Sequence, residues 1–561
     1  VKEIVVNLLS AAIAEKMTRD DINRLIEIPP SDDMGDFAFP VFGLAKIFRK
    51  NPAMIADEIK SNIVLPEAIE KVTTVSGYLN FFVNKKIMAQ QCIANAQSPD
   101  FGRPEIKSCA VVEFASPNTN KPLHLGHLRN MSIGDSVSRL LAFCGNNVVR
   151  TSINNDRGVH ICKSMLAYRE FGNSTTPQSV NKKSDHFVGD YYVRFSKEAA
   201  SDESWNERAQ EMLRLWEAGD EPTVALWKVM NTWAFDGFRE TYKLFGIKFD
   251  KEYYESQIFK FGKEIVQDGL SKGIFTKRDD GAVIVNLEDQ KLGEKVLLRP
   301  DGTSVYIVQD LFLAVLKDNE YHYDRSIYVV GNEQEFHFQV LIAILRRLGY
   351  PIADKMKHLA YGMVELPEGR MKSREGTVVD ADDLIKVTQD LAAAELKVRY
   401  PQLTAYEIDD RSLKIALSAI KYQLLRIDIM KNMMFDPKVA ISFEGDTGPY
   451  LLYSYARASS IMRKSSVEKH YEIGTLSVSE IKLIKKINNF SISVSHAYDK
   501  LSPSIIANYA FELSQCFNEF YHGCKVIGTD EEAFRLQLVK AFKSVLGNCL
   551  SILGIDAIEE M

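Results

Sequence analysis

Three patterns of apolar and polar positions follow one another along the 561 residues. Up to about residue 105, apolar residues recur at helical spacing over Val5–Lys16, Phe42–Phe48 and Ala53–Asn62, around a Gly35-Asp36-Phe37 turn. Val72–Ser76 and Asn80–Val83 are short strand patterns split by Gly77, so residues 1–105 predict a separate α+β module. From 106 to 385, short apolar runs alternate with amphipathic stretches, the mark of an α/β domain with a parallel sheet. Its strands fall on Cys109–Phe114, Val148–Thr151, Ile327–Val330 and His358–Val364. Its first helix carries Ile133, Val137, Leu140 and Leu141 and stops at Gly145-Asn146. A helix-rich insertion at about 160–290 interrupts this domain and holds all four tryptophans, of which Trp216, Trp227 and Trp233 predict a small core of its own. After the insertion, Arg299-Pro300-Asp301-Gly302 predicts a hairpin turn between Val296–Leu298 and Ser304–Ile307, with a helix from about Val308. Residues 386–561 are helical throughout, in Leu413–Met430, Tyr450–Arg463, Val478–Leu501, Ile505–His522 and Phe534–Leu553.

Composition narrows this picture. The chain is too long for one core, and no apolar run approaches the ~18 residues of a membrane span, so a multidomain protein without membrane contact is expected. Seven cysteines (92, 109, 144, 162, 516, 524 and 549) form no C-x-x-C pair, which argues for reduced thiols in the cytoplasm and against zinc. A net charge of −6 means that any nucleic-acid surface is a local patch.

Chemistry concentrates where the first strand meets the first helix. There Lys121-Pro122-Leu123-His124-Leu125-Gly126-His127 sets two imidazoles three residues apart on a helix's first turn. Free N–H groups and the helix dipole favour an anion at that position, and Lys121, His124 and His127 add donors. Gly126 leaves backbone room for a flat ligand. A metal site on such a helix would bring a third ligand and a general-base Glu, and neither is present.

His-Leu-Gly-His after Ser116-Pro117-Asn118 resembles the first signature of class I aminoacyl-tRNA synthetases. Its flanks, VEFASPN and HLRNMSIGD, resemble the arginyl-tRNA synthetases in particular. Roughly 250 residues later, Glu368-Gly369-Arg370-Met371-Lys372-Ser373-Arg374-Glu375-Gly376 resembles the second signature, a lysine-rich loop closing over triphosphate. Aligned on Met371, the signature lysine falls on Ser373, with Lys372 and Arg374 on either side, and the resemblance then makes Lys121 the substitute. Gly445 to Arg457 resembles the start of the family's anticodon-binding bundle. From Ala440 on there are 12 Lys/Arg against 14 Asp/Glu, so aromatic faces matter there more than bulk charge.

The resemblance implies a Rossmann-type catalytic domain, an N-terminal domain touching the tRNA elbow, and an all-α anticodon-binding domain. Family members often carry polar residues after the Gly-Asp-aromatic turn, where this chain has Ala38-Phe39-Pro40. The implied reaction is ligation of L-arginine to tRNA(Arg) with ATP and Mg²⁺, through arginyl-adenylate, by a cytoplasmic monomer. Catalysis falls to His124, His127, Lys121, Lys372 and Arg374, and ATP binding to Gly126, Gly331, Glu333, Met371 and Ser373. Arginine contacts fall on Glu113, Phe114, Ala115, Ser116, Pro117, Asn118, His124, Tyr306, Asp310 and Gln334. Tyr450, Tyr453 and Arg457 are the tRNA-binding residues. A guanidinium is planar and has five donors, so Asp310 and Glu113 are the acids expected around it, with Tyr306 orienting it. Two alternatives stay open, a class I synthetase for another amino acid and a catalytically inactive tRNA-binding relative.

Overall fold

The computed structural model describes residues 2–13, 16–367, 379–465 and 470–561. They form two compact units, the larger comprising Gly102–Ala456, Ser491–Phe511 and Leu546–Met561. It is built on a parallel sheet of β1 (Cys109–Glu113), β2 (Asn147–Asn154), β3 (Lys251–Tyr254), β4 (Arg325–Gly331) and β5 (Met356–Tyr361). The spatial order is β5-β4-β1-β2-β3, parallel at every pairing. Because the connections diverge on either side of β1 and β4, a crevice opens beyond the carboxyl ends of those two strands. Ala110, Val111 and Val112 are all buried, which is why β1 reads as an unbroken apolar run.

The Leu125–Phe143 helix crosses β1 with almost no polar face exposed. A Cβ on Gly134 would collide with the Phe114 ring, so the missing side chain lets helix and strand close up. Two buried serines bond back into the helix, Ser132 Oγ to Leu128 O and Ser138 Oγ to Gly134 O, both at 2.7 Å. Arg129 is fully buried and donates to three carbonyls, of Met363 (2.7 Å), Ile429 (3.2 Å) and Lys431 (2.7 Å). The guanidinium fastens the segment that follows β5, where Val364–Glu365 pairs with Met433–Met434.

Between β2 and β3, the helices Val159–Phe171, Ser184–Ser201, Ser204–Ala218 and Glu221–Phe245 share a core that includes Met165, Leu166, Phe195, Trp205, Met212 and Met230. Trp205 is the tryptophan buried there, Trp227 and Trp233 only flank it, and Trp216 packs on Trp227 and Phe259 instead. The expected Trp216–Trp227–Trp233 core is corrected accordingly. β3 lies inside the stretch read as insertion. The expected hairpin turn is present, with Gly302 N donating to Arg299 O at 2.8 Å. Ser304–Ile307 is not a strand, however. A single bridge joins Leu298 to Ser304, and the helix starts at Tyr306 because Val305 caps it in extended conformation.

The smaller unit comprises Val1–Phe101, Arg457–Phe490 and Glu512–Val545. Its sheet has three antiparallel strands, in the order Phe37–Pro40, Tyr78–Val83 and Ile69–Val75, one more than the sequence predicts. The Asp36 carboxylate of the Gly-Asp-aromatic turn is buried, accepting from Val83 N at 2.8 Å, from Lys85, and from Lys485 Nζ at 2.9 Å. That turn therefore carries the N-terminal module onto the Val478–Asn488 helix. The single helix expected over Val478–Leu501 breaks at Asn489 into Val478–Asn488 and Phe490–Lys500.

Candidate active site

His124 caps the Leu125–Phe143 helix, and both histidines turn Nδ1 back onto it. His124 Nδ1 accepts from Gly126 N, and His127 Nδ1 accepts from His124 N, each at 3.1 Å. An imidazole that accepts at Nδ1 carries its proton on Nε2, so each ring offers one N–H away from the backbone. Burial, then the charge of Lys121, lowers His124 to about 4; burial and the same neighbours hold His127 well below its ordinary value. Two expectations change. The helix N–H groups at Gly126 and His124 are occupied by the rings, not free for an anion, and the histidines are neutral donors whose charge must come from Lys121. Gly126 has a different reason too, since a Cβ there would lie 3.0 Å from His124 Cε1, so the glycine makes room for the imidazole.

The loop between β1 and this helix is bent by Ala115 (φ +73°) and Ser116 (φ +45°). Left-handed backbone at two side-chain-bearing residues needs support, and Asn130 gives it, accepting from Ala115 N at 2.6 Å and donating to Val329 O at 2.8 Å. One asparagine thus holds the ends of β1 and β4 together. Phe114 buries its ring against Gly134 and Phe249, and Pro117 is buried, so Phe114 has only its backbone to offer a ligand. Ser116 is half-buried and Asn118 exposed. Glu113 is not open to a guanidinium in the way expected. Its Oε2 accepts from Lys317 Nζ at 2.5 Å, and the lysine is fully buried.

Tyr306 and Asp310 lie one turn apart on the Tyr306–Tyr321 helix, with Tyr306 71% exposed. The Asp310 carboxylate accepts from His337 at 2.6 Å, which raises the imidazole above its ordinary value. Beside it stands Glu255, raised to about 7 by burial, near Arg157 (3.7 Å), Asp156, Gln309 and Asp310. Gly331 ends β4, a Cβ on it would strike the Glu333 carboxylate, and Glu333 and Gln334 are exposed just beyond. His124 and His127 thus stand on the helix that follows β1, Glu333 and Gln334 follow the end of β4, and Asp310 is joined to the helix after β4 through His337.

A second chain segment closes against the histidine loop. Leu125 N donates to Val379 O and Ala381 N to Leu123 O, both at 3.0 Å, with His124 bridged to Asp380. Asp380 caps the Ala381–Arg399 helix and sits in a charged cluster. Lys183 Nζ donates to Asp382 Oδ2 and Thr241 Oγ1, both at 2.6 Å, and lies 3.2 Å from Asp185 Oδ2. His186 Nε2 lies 3.2 Å from both Asp380 and Asp382. Burial raises Asp380 to about 6. Asp185, His186 and Asp382 have the spacing of metal ligands, but the Lys183 ammonium already supplies their positive charge. Lys372, Arg374, Met371 and Ser373 lie outside the described residues.

Comparison with known proteins agrees along the whole length. Residues 91–437 match the family model of the class I tRNA synthetase (R) catalytic domain, 451–561 the DALR anticodon-binding domain, and 2–83 the arginyl-tRNA synthetase N-terminal domain. The chain belongs to the arginyl-tRNA synthetase family. It is 43% identical to an arginine–tRNA ligase of Treponema denticola, over 99% of this chain and 97% of the relative. It is 41% identical to that of Porphyromonas gingivalis over 99% of each. The arginyl-tRNA synthetase structure from Thermus thermophilus superposes with a TM-score of 0.84 at 26% identity, covering 100% of both chains. Among the described residues no helix is long and apolar enough to cross a membrane.

In the family's anticodon-binding region, Tyr450, Tyr453 and Arg457 lie half-buried on the Gly448–Lys464 helix. Tyr450 packs edge-on against Phe511, at 5.6 Å between centroids, and Arg457 lies over Tyr521 at 4.7 Å while bonding Asn518. Sequence reasoning missed Lys317, Glu255, His337, Asn130 and the Lys183 cluster. His337 and Asn130 had a readable signal, polar residues one turn beyond the Gly331 and His124 loops. Lys317 stands in a helical stretch like any surface lysine and gave none.

Proposed function

We propose that this crevice ligates L-arginine to tRNA(Arg), with ATP bound beside the His124–His127 turn and arginine between Asp310, Tyr306, Gln334 and the Glu113–Asn118 loop. The arginine carboxylate attacks the α-phosphorus of ATP, and the adenylate then passes its arginyl group to the terminal ribose of tRNA. No protein nucleophile is needed, so the enzyme's contribution is alignment and stabilisation of developing charge. The two Nε2–H groups donate to phosphate oxygens, and Lys121 supplies the positive charge that Ser373 does not. Mg²⁺, bound with ATP, would add positive charge at the phosphates, beside the donors that His124, His127 and Lys121 supply. Lysine would leave hydrogen bonds of a carboxylate unmade, a defect large enough to reject it by roughly 10⁴-fold. Tyr450, Tyr453 and Arg457 contribute to binding of the anticodon arm, and the N-terminal module contacts the tRNA elbow. A cytoplasmic monomer suffices for all of this.

The observation that supports the reading most is the pair of neutral imidazole donors on the helix that follows β1, in a fold whose crevice lies beyond the carboxyl ends of β1 and β4. Charging of total tRNA with radiolabelled arginine tests it, against a panel of the other amino acids. Asp310→Asn should abolish arginine-dependent turnover while ATP still binds. Unchanged arginine turnover in this variant removes Asp310 from the site.

A further inference from the structure

Asp310 is the proposed ligand of the arginine guanidinium, and its carboxylate is engaged by a side chain of the protein itself. His337, on the first turn of the Glu335–Arg347 helix, lies 2.6 Å from Asp310 Oδ2 through Nε2. Both side chains are partly open to the crevice, at 29% and 37% exposure, so neither is locked away from an incoming ligand. We propose that an imidazolium at His337 and the guanidinium of arginine compete for the one Asp310 carboxylate, so that arginine binding expels the His337 proton to solvent. This deepens the arginine-site reading given above and rests on it.

The chemistry of the two cations decides the exchange. An imidazolium gives Asp310 one N–H, whereas a guanidinium can give two parallel N–H donors to both oxygens. A lysine ammonium lacks that planar fork, so it replaces a single hydrogen bond by a single hydrogen bond and must still displace the proton. His337 therefore raises the threshold for entry, and arginine crosses it more easily than lysine. Above the pH at which His337 loses its proton, the ring is neutral and no longer opposes the guanidinium by charge.

Among the described residues, Asp310 contributes to the raised values of both Glu255 and Tyr328, as it does to that of His337. Tyr328 is buried and held above its ordinary value, so it stays neutral throughout. Glu255, at about 7, also titrates, and with the same sign, since its ionisation at higher pH also favours a cation. Any test must separate the two.

The measurement is KM for arginine and for ATP between pH 5.5 and 8.5, in tRNA charging by the full chain, for the wild type, His337→Gln and Glu255→Gln. His337→Gln keeps a neutral N–H toward Asp310. In the wild type, KM for arginine should rise as pH falls, by up to about tenfold per unit for each group titrating. His337→Gln should lose a large part of that slope, keep the ATP profile, and narrow the arginine-to-lysine preference. A wild-type slope retained whole in His337→Gln overturns the proposal. Calorimetry of arginine binding at pH 6, in buffers of different ionisation enthalpy, gives an independent reading for the wild type and His337→Gln. Proton release that is smaller in His337→Gln supports the competition, and release unchanged by the substitution overturns it. If Asp310→Asn leaves arginine binding in the same calorimetry unaltered, the site assignment itself has failed. Weakened binding in that variant with an unaltered His337→Gln slope defeats only the competition.

Discussion

Lys317 places its ammonium 2.5 Å from the Glu113 carboxylate, and the two residues, 204 positions apart in sequence, neutralise each other beneath the crevice. The arginine site is thereby left with fewer free negative charges than its acidic residues suggest, because Glu113 arrives already paired.

Removing one partner of such a pair strands a buried charge, which costs about 3–5 kcal/mol, whereas removing both is close to neutral. Lys317→Met should accordingly lower the thermal midpoint and raise KM for arginine more than KM for ATP. Combining it with Glu113→Gln should restore the midpoint without restoring arginine affinity. A double variant as unstable as the single one would show that the lysine acts through packing alone.

The back-turned histidines lead to a second expectation. Asparagine at position 127 can still accept from His124 N but offers no donor on the far side, so His127→Asn should keep the fold and lose turnover. Loss of one donor to a developing negative charge typically costs about 10²–10³-fold in kcat. Because His124 titrates only near 4, lowering the pH from 8 to 6 should produce no loss of turnover that His124→Asn removes. Pre-steady-state adenylate formation is the measurement, and a wild-type rate in His127→Asn would reject the donor role.

Asp380 yields a stability prediction whose sign follows from its raised value of about 6. A carboxylate raised in the folded state contributes its stability at pH values below its unfolded pKa and loses it as pH rises through the folded one. Near neutral pH the charged form is therefore a burden. Asparagine is an equally good helix cap, so Asp380→Asn should raise the thermal midpoint at pH 8 and change it little at pH 4. Thermal melts at the two pH values decide this. A destabilised variant at pH 8 would mean that the ion pair with His186 outweighs the cost of burial.

These residues also mark how far the sequence could be read. Asp310 and Tyr306 were legible because they sit four apart just after a turn signal, and His124 and His127 because they follow a buried strand. Lys317, Lys183 and Asp382 were not, since their partners come from distant segments and only packing makes them neighbours. Among the strands, Lys251–Tyr254 escaped because four residues with only Tyr253 buried show no alternation. Phe37–Pro40 escaped because it ends in proline, which an edge strand tolerates and a central one does not. The start of the histidine helix was misleading for a related cause. A free helix N-terminus invites an anion, but here Gly126 N is taken by the His124 ring and Leu125 N by Val379 O, from a segment far along the chain.

The strand order at the crevice also bears on how the protein assembles. The start of β1 is tied to the turn before β4 by Cys109 N donating to Asp324 Oδ2, across 215 residues of chain. Closing a loop of that length is slow and entropically unfavourable, although the cost grows only logarithmically with length. The helices between β2 and β3 have a core of their own and can form first, which shortens the chain that remains to be gathered. The pairing of β1 with β4 joins the most sequence-distant neighbours of the sheet, and the crevice that depends on it exists only once both flanks are in place. During synthesis, the nascent chain holds His124 and His127 long before it holds an arginine site.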